Sequence, residues 1–165
     1  MGCGEQAMYI GVSSSVEWLN ITYNDPTVKR KVEALCGKPI GLLEAIRRGG
    51  VGSPRMVLVA ADHGLLEPFD REEDRRFFSI EARTEGVLLR CRSRLETLGL
   101  PLGTGSLQEL VLEVPGGRPF ADLSILLVGG AALRLQLSSE HWGSVSKMLR
   151  KALPEGRFRT KARLL

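Results

Sequence analysis

The stretch VLLRCRSRL, residues 87–95, carries Arg90, Arg92 and Arg94 at alternate positions. In a strand, alternate residues point to one face and lie about 6.6–6.8 Å apart. Phosphates along an extended single strand of nucleic acid repeat at a similar distance, on the order of 6–7 Å, and a basic groove can track them. A guanidinium forks onto phosphate oxygens, so a line of three suits an anionic polymer or surface. The same line also suits a sheet face salted by acids, with Glu81, Glu109 and Glu113 as the cross-strand partners. Further cations extend the anionic reading: Arg134 on a later strand, and Arg157, Arg159, Lys161 and Arg163 near the C-terminus.

Other chemistry is thinly represented. AADHG places Asp62 and His63 after a strand, where a metal or a proton relay is conceivable. His141 is the only other histidine, and no spacing fixes further ligands. The alternative is a turn in which Asp62 binds backbone amides near Gly64. No GxSxG, no phosphate-loop GxxxxGK[ST] and no credible dinucleotide fingerprint is present. No catalytic residue, metal or cofactor is therefore expected. Cys3, Cys36 and Cys91 are widely spaced, which argues against a disulfide framework and a zinc site and fits a reducing compartment. Cys36 and Cys91 are expected inside as small apolar residues.

The opening MGCGEQ raises a separate chemistry. Loss of Met1 would expose Gly2 for myristoylation, with Cys3 beside it for palmitate, although Gln6 stands where Ser or Thr is favoured. Two chains anchor where one is marginal. This start resembles those of Src-family kinases and viral matrix-type proteins, and it implies a peripheral membrane protein. An unmodified start is the alternative.

Bulk properties limit the rest. A chain of 165 residues with 43% apolar and 25% charged composition has the makings of one folded domain, residues 1–165, with a real core. The net charge of +4 permits an anionic partner without requiring one. Residues 1–7 read as a segment available for acylation, and residues 154–165 as a basic C-terminal tail. No long apolar run suits a membrane span and no signal peptide is apparent, so the expected location is cytoplasmic or nuclear, or peripheral on the cytoplasmic face of a membrane.

The elements that must position these residues follow from periodicity. MYIGV (8–12) and VEWLNITY (16–23) read as a hairpin. In NDPTVKRKVEALCGKP, Asp25 caps a helix, Pro26 opens it and Gly37 ends it. Val28, Val32 and Leu35 form its inner face, with Lys29, Arg30 and Lys31 outside. PIGLLEAIRRGG is a second short helix with Ile40, Leu43 and Ile46 inward, Arg47 and Arg48 in its last turn, and a glycine-rich break after it. PRMVLVAADHG reads as a buried strand running into a turn, and EPFDREEDRR as a charged loop. FFSIEAR turns through TEG into VLLRCRSRLETL, with Leu89, Cys91 and Leu95 inward. PLGTG reads as a loop. LQELVLEV, ADLSILLV and AALRLQLS are strands, the last two joined across Gly129 and Gly130. SSEHWGSVSKMLRKAL is a helix capped by Ser138 or Ser139, with Trp142, Val145, Leu149 and Ala152 or Leu153 on one face.

Two stretches carry a family resemblance. LQLSSEHWGSVSKML resembles the last strand and helix of the single-stranded-DNA-binding transcriptional coactivators of the positive-cofactor-four type, akin to Whirly proteins. FFSIEARTEGVLLRCR is similar to that family's first hairpin. Together they span about half the chain; the first 75 residues, an extra strand and the missing surface aromatics depart from the pattern. The resemblance implies a curved antiparallel sheet that binds nucleic acid, dimerisation through helices, and Arg90, Arg92 and Arg94 on the second strand. A strand leading into a Trp-bearing helix also ends pleckstrin-homology domains.

The expected fold is α+β: a mainly antiparallel sheet, a meander in its second half, two early helices and an amphipathic helix near the C-terminus. The expected function is non-enzymatic binding of an anionic partner, with a homo-oligomer as the expected state. Single-stranded nucleic acid held by Arg90, Arg92, Arg94, Arg134, Arg157, Arg159, Lys161 and Arg163 is the first choice. A lipid-anchored, matrix-like membrane protein using Gly2 and Cys3, helped by basic residues such as Lys29, Arg30 and Lys31, is the alternative, and a small metal-dependent enzyme using Asp62 and His63 is the distant third.

Overall fold

The structure is a computed structural model, and it describes residues 17–66, 77–93 and 95–162, without the side chain of His63. The fold is α+β, with one nine-stranded sheet and, among the described residues, three α-helices. The strands are β1 (Leu19–Asn20), β2 (Met56–Ala61), β3 (Phe77–Arg83), β4 (Gly86–Ser93), β5 (Glu96–Gly103), β6 (Leu107–Glu113), β7 (Phe120–Leu127), β8 (Ala132–Ser138) and β9 (Phe158–Lys161). Helix α1 is Pro26–Cys36, α2 is Leu42–Arg48 and α3 is Trp142–Ala152. The sheet order is β1-β5-β4-β3-β2-β8-β7-β6-β9. All pairings are antiparallel except β6 with β9.

Two meanders, β2 to β5 and β6 to β8, make up seven of the nine strands, with β1 and β9 at the edges, and β2 joins the meanders by pairing with β8. Alternation drives both. Phe78, Ile80 and Ala82 of β3, Val87, Leu89 and Cys91 of β4, and Leu133, Leu135 and Leu137 of β8 are all buried on one face. Residues from β2 to β8 share a single cluster with Val145, Met148 and Leu149 of α3, so the sheet curls around one core. The Gly129–Gly130 connection has φ of 101° and 97°, the conformation that a tight hairpin demands and glycine accepts.

Helix α1 forms as its end signals dictate. The Asp25 carboxylate accepts from Thr27 N at 2.8 Å, Pro26 sits in the first turn, and Gly37 closes the helix at φ 88°. Its packing differs from the expectation. Val32 and Cys36 are buried with Leu19 and Leu88 in a second small cluster, whereas Leu35 is exposed. The helix lies on the outer face of the sheet, where it covers Leu88. Gly103 permits this approach, because a Cβ there would collide with the Leu35 carbonyl oxygen.

Several sequence expectations are corrected. The strand at 16–23 shrinks to Leu19–Asn20, since Asn20 Oδ1 accepts from Thr22 N and turns the chain. It pairs with β5, and its expected partner at 8–12 lies outside the described residues. Strand β2 is not buried: Met56 is inside, but Val57 and Val59 are exposed, because β3 pairs with only its first two residues. The long strand through residue 98 is two strands, with the reversal between Ser93 and Glu96 and Leu95 exposed rather than inward. PLGTG is not all loop, since Pro101–Gly103 end β5, and Leu100 and Leu102 are fully buried. Leu43 and Ile46 of α2 point to solvent. Neither Ser138 nor Ser139 caps α3 with its side chain; a short 3₁₀ turn, Ser139–His141, leads into it. Four residues of the basic tail form β9, because the exposed edge of β6 offers unpaired backbone groups to it.

The glycine at the α1–β5 contact gives a direct test. Gly103→Ala should lower unfolding free energy by about 1–3 kcal/mol through overpacking. Gly105→Ala, whose Cβ would meet open space, should leave the urea midpoint unchanged.

Candidate anion-binding site

The outer face of β3 and β4 carries the charge. Glu81 stands opposite Leu88, and Ser79 opposite Arg90. Glu81 Oε2 accepts from Arg83 Nη2 at 3.2 Å, from Arg83 Nε at 3.3 Å and from Arg90 Nη2 at 2.8 Å. Two guanidinium groups thus share one carboxylate, which leaves one positive charge uncompensated within the triad. The Arg83 side chain is only 9% exposed and that of Arg90 41%. Arg90 Nε is shielded from solvent and has no hydrogen-bond partner among the described residues.

Beside the triad lies a cavity of about 200 Å³ beneath the first turns of α1. Ile21, Val28, Val32 and Leu88 give it an apolar floor. Arg83, Arg90, Lys29, Asp25 and Tyr23 line its polar side. The Asp25 carboxylate is engaged in capping α1, whose N-terminal dipole end is itself positive. Counting Glu81, three cations face two carboxylates, so the cleft favours a small anion with an apolar body.

The predicted basic residues do not gather into one surface. Arg90 joins the triad, so the cross-strand pairing with Glu81 is realised. Arg92 is exposed on the same strand, opposite Thr97, and Arg94 lies outside the described residues. Arg134 is exposed on β8. Arg157 donates to the Leu107 carbonyl, and Arg159 pairs with Glu109, so both serve the β6–β9 edge. Lys161 is exposed opposite Glu113. Five strands separate β4 from β9 in the sheet. Gly2, Cys3 and Arg163 lie outside the described residues. Sequence reasoning missed Arg83, although it shares the outward register of Glu81 in FFSIEAR. It assigned Lys29, with Arg30 and Lys31, to the alternative membrane-facing surface, and only the packing of α1 onto β4 brings Lys29 to the cleft.

Asp62 has a structural role. Its Oδ2 accepts from Ala132 N at 2.7 Å, and its own N–H donates to Ala132 O at 3.0 Å. This tie is to β8 rather than to the amides near Gly64. Among the described residues no group of three His, Cys, Asp or Glu side chains is placed to hold a metal. Cys36 and Cys91 are both buried. Burial pushes the Cys36 thiol up to about 11, against the opposing pull of Arg83.

No protein-family model and no curated protein matches the chain.

The triad and the thiol each give a prediction. Glu81→Ala would strand the buried Arg83 charge and should cost about 3 kcal/mol in urea unfolding, several times the cost of Arg90→Ala. Cys36 and Cys91 should resist an aromatic disulfide reagent at neutral pH and react once the chain is unfolded. The Cys36 shift favours its protonated form in the folded state. Its contribution is complete below the unfolded value of 9.0 and falls as pH rises from there through about 11, so stability should decline across that window and decline less in Cys36→Ala.

Proposed function

We propose that this is a non-enzymatic binding protein for a phosphate-bearing partner, received at the cleft between α1 and the β3–β4 face. The observation that carries the reading is the Arg83–Glu81–Arg90 triad, with its surplus positive charge, beside a cavity that also presents Lys29. A buried guanidinium is expensive unless paired. Here the shared carboxylate holds both arginines in place and still leaves donors for an anion.

The arrangement of elements supports a binding role. The two meanders and α3 enclose one core, so the outer face of β3 and β4, under α1, is left to carry the cleft. In this reading α3 is an amphipathic brace, with Val145, Met148 and Leu149 on the core and Lys147 and Lys151 outward.

Single-stranded nucleic acid is the second reading. It is favoured by Arg92, which stands exposed one alternation beyond Arg90 and could take the next phosphate along an extended chain.

Titration of the full chain with inorganic phosphate and with a short single-stranded oligonucleotide, across a salt series, tests both readings. Binding should weaken with salt, each neutralised phosphate adding roughly 0.7 to the slope for a single strand. Arg90→Ala combined with Arg92→Ala should weaken binding about tenfold or more. Unchanged affinity in that variant, or no binding of either probe at low salt, would remove the cleft from consideration.

A further inference from the structure

Helix α2 buries none of its residues. Leu42, Leu43 and Ile46 are 77%, 82% and 68% exposed, and their spacing collects them on one side of the helix. Leucine and isoleucine in water contribute nothing to this chain's own core.

The segment is nevertheless firmly held. Before α2, Pro39 bridges to Arg83, and Thr84 N donates to Lys38 O at 3.1 Å. After it, Gly52 bridges to Glu81, and Ser53 N donates to Ile80 O at 2.8 Å. Ile40 and Val51 pack against the main core. Residues 41–50 therefore form a projection on a fixed stem, with three large apolar side chains on it. The stem is attached at Arg83 and Glu81, the residues of the charged triad.

Cations surround this projection. Arg47 and Arg48 both pair with Glu44, at 3.3 and 3.0 Å, and Arg47 is 80% exposed. The Glu44 carboxyl is held below its ordinary range by the Arg48 hydrogen bond, with Arg47 and Lys151 of α3 adding at longer range. Lys38 is exposed at the stem. Glu44 is the only acid within α2, against Arg47 and Arg48, so the helix itself is net positive.

We propose that α2 inserts Leu42, Leu43 and Ile46 into the interface of a bilayer carrying anionic lipid, with Arg47, Arg48 and Lys38 at the level of the lipid phosphates. A second copy of the chain is a poorer occupant: a stable protein interface buries roughly 800 Å² per partner, more than three side chains on a seven-residue helix present. A bilayer needs no matching surface, because apolar transfer and attraction to anionic headgroups add directly. Neither the apolar nor the electrostatic part of this contact uses a residue that lines the cleft.

Co-sedimentation of the full, unacylated chain with vesicles of phosphatidylcholine, alone or mixed with phosphatidylserine, tests the proposal. Binding should appear on the mixed vesicles and weaken with salt. Leu42→Ser combined with Leu43→Ser and Ile46→Ser should reduce partitioning about tenfold or more, while leaving the urea midpoint and the phosphate titration unchanged. In Leu43→Trp, bromine-labelled lipid should quench the added fluorescence. Arg90→Ala with Arg92→Ala should weaken the phosphate titration about tenfold or more yet keep apolar insertion, so failure of the cleft and failure of α2 are separable. Absence of wild-type binding to the mixed vesicles at low salt overturns the proposal, as does full binding by the triple serine variant. A change in sedimentation-velocity mass in that variant, with vesicle binding intact, overturns it in favour of self-association.

Discussion

The pairing of β2 with β8 is the contact on which the rest of the fold depends. Its register runs from Val57 opposite Gln136 to Ala61 opposite Leu133, with a bulge between Leu58 and Ala60. Each meander alone would leave an apolar face in water. Joined at this seam, the faces enclose one core that reaches from Leu100 in β5 to Leu112 in β6 and receives Val145 and Leu149 from α3. The seam links segments far apart in the chain, so its closure carries a loop-entropy cost that only the shared core offsets. Asp62 reinforces it at one end by engaging Ala132 through both its carboxylate and its backbone.

The charged face is a consequence of where α1 packs. With one face of the sheet enclosed, α1 lies on the outer face over Leu88, and its first turns overhang Arg83 and Arg90. Partial desolvation there makes the sharing of Glu81 necessary. Farther along β4, beyond the helix, Arg92 remains in water. The same strand therefore carries one arginine held in a pair and one exposed to solvent, and the paired one lines the cavity. The α2 projection springs from the same region of β3, which places apolar and cationic surface side by side.

Local signals in the sequence read correctly wherever the deciding physics is local. The Asp25 cap, Pro26 and the Gly37 stop define α1 because they satisfy or terminate its own backbone. The TEG and Gly129–Gly130 turns and the alternation of β3, β4 and β8 emerged for the same reason. Burial was misjudged where a pattern admitted two outcomes. The apolar run in β2 fits a buried strand and a one-sided strand alike. Leu43 and Ile46 have the spacing of an inward helical face, but they are 82% and 68% exposed, and none of the described elements buries them. Residues 158–161 are too charged to announce a strand, and their pairing uses the backbone of β6 instead of side chains.

The sequence by itself determined the α+β class, the positions of the two main helices, most strand cores and the inward placement of Cys36 and Cys91, since these follow from backbone satisfaction and apolar period. It also offered Glu81, Glu109 or Glu113 as cross-strand partners for the arginine row, and the structure pairs Glu81 with Arg90. Only the tertiary structure decided which cations act together. Arg83, Arg90 and Lys29 meet because α1 crosses the outer face of β4, whereas Arg157 and Arg159 are engaged at the edge of β6. Charge carries no periodic signature of its own partners; its role is set by which surfaces the apolar core brings together.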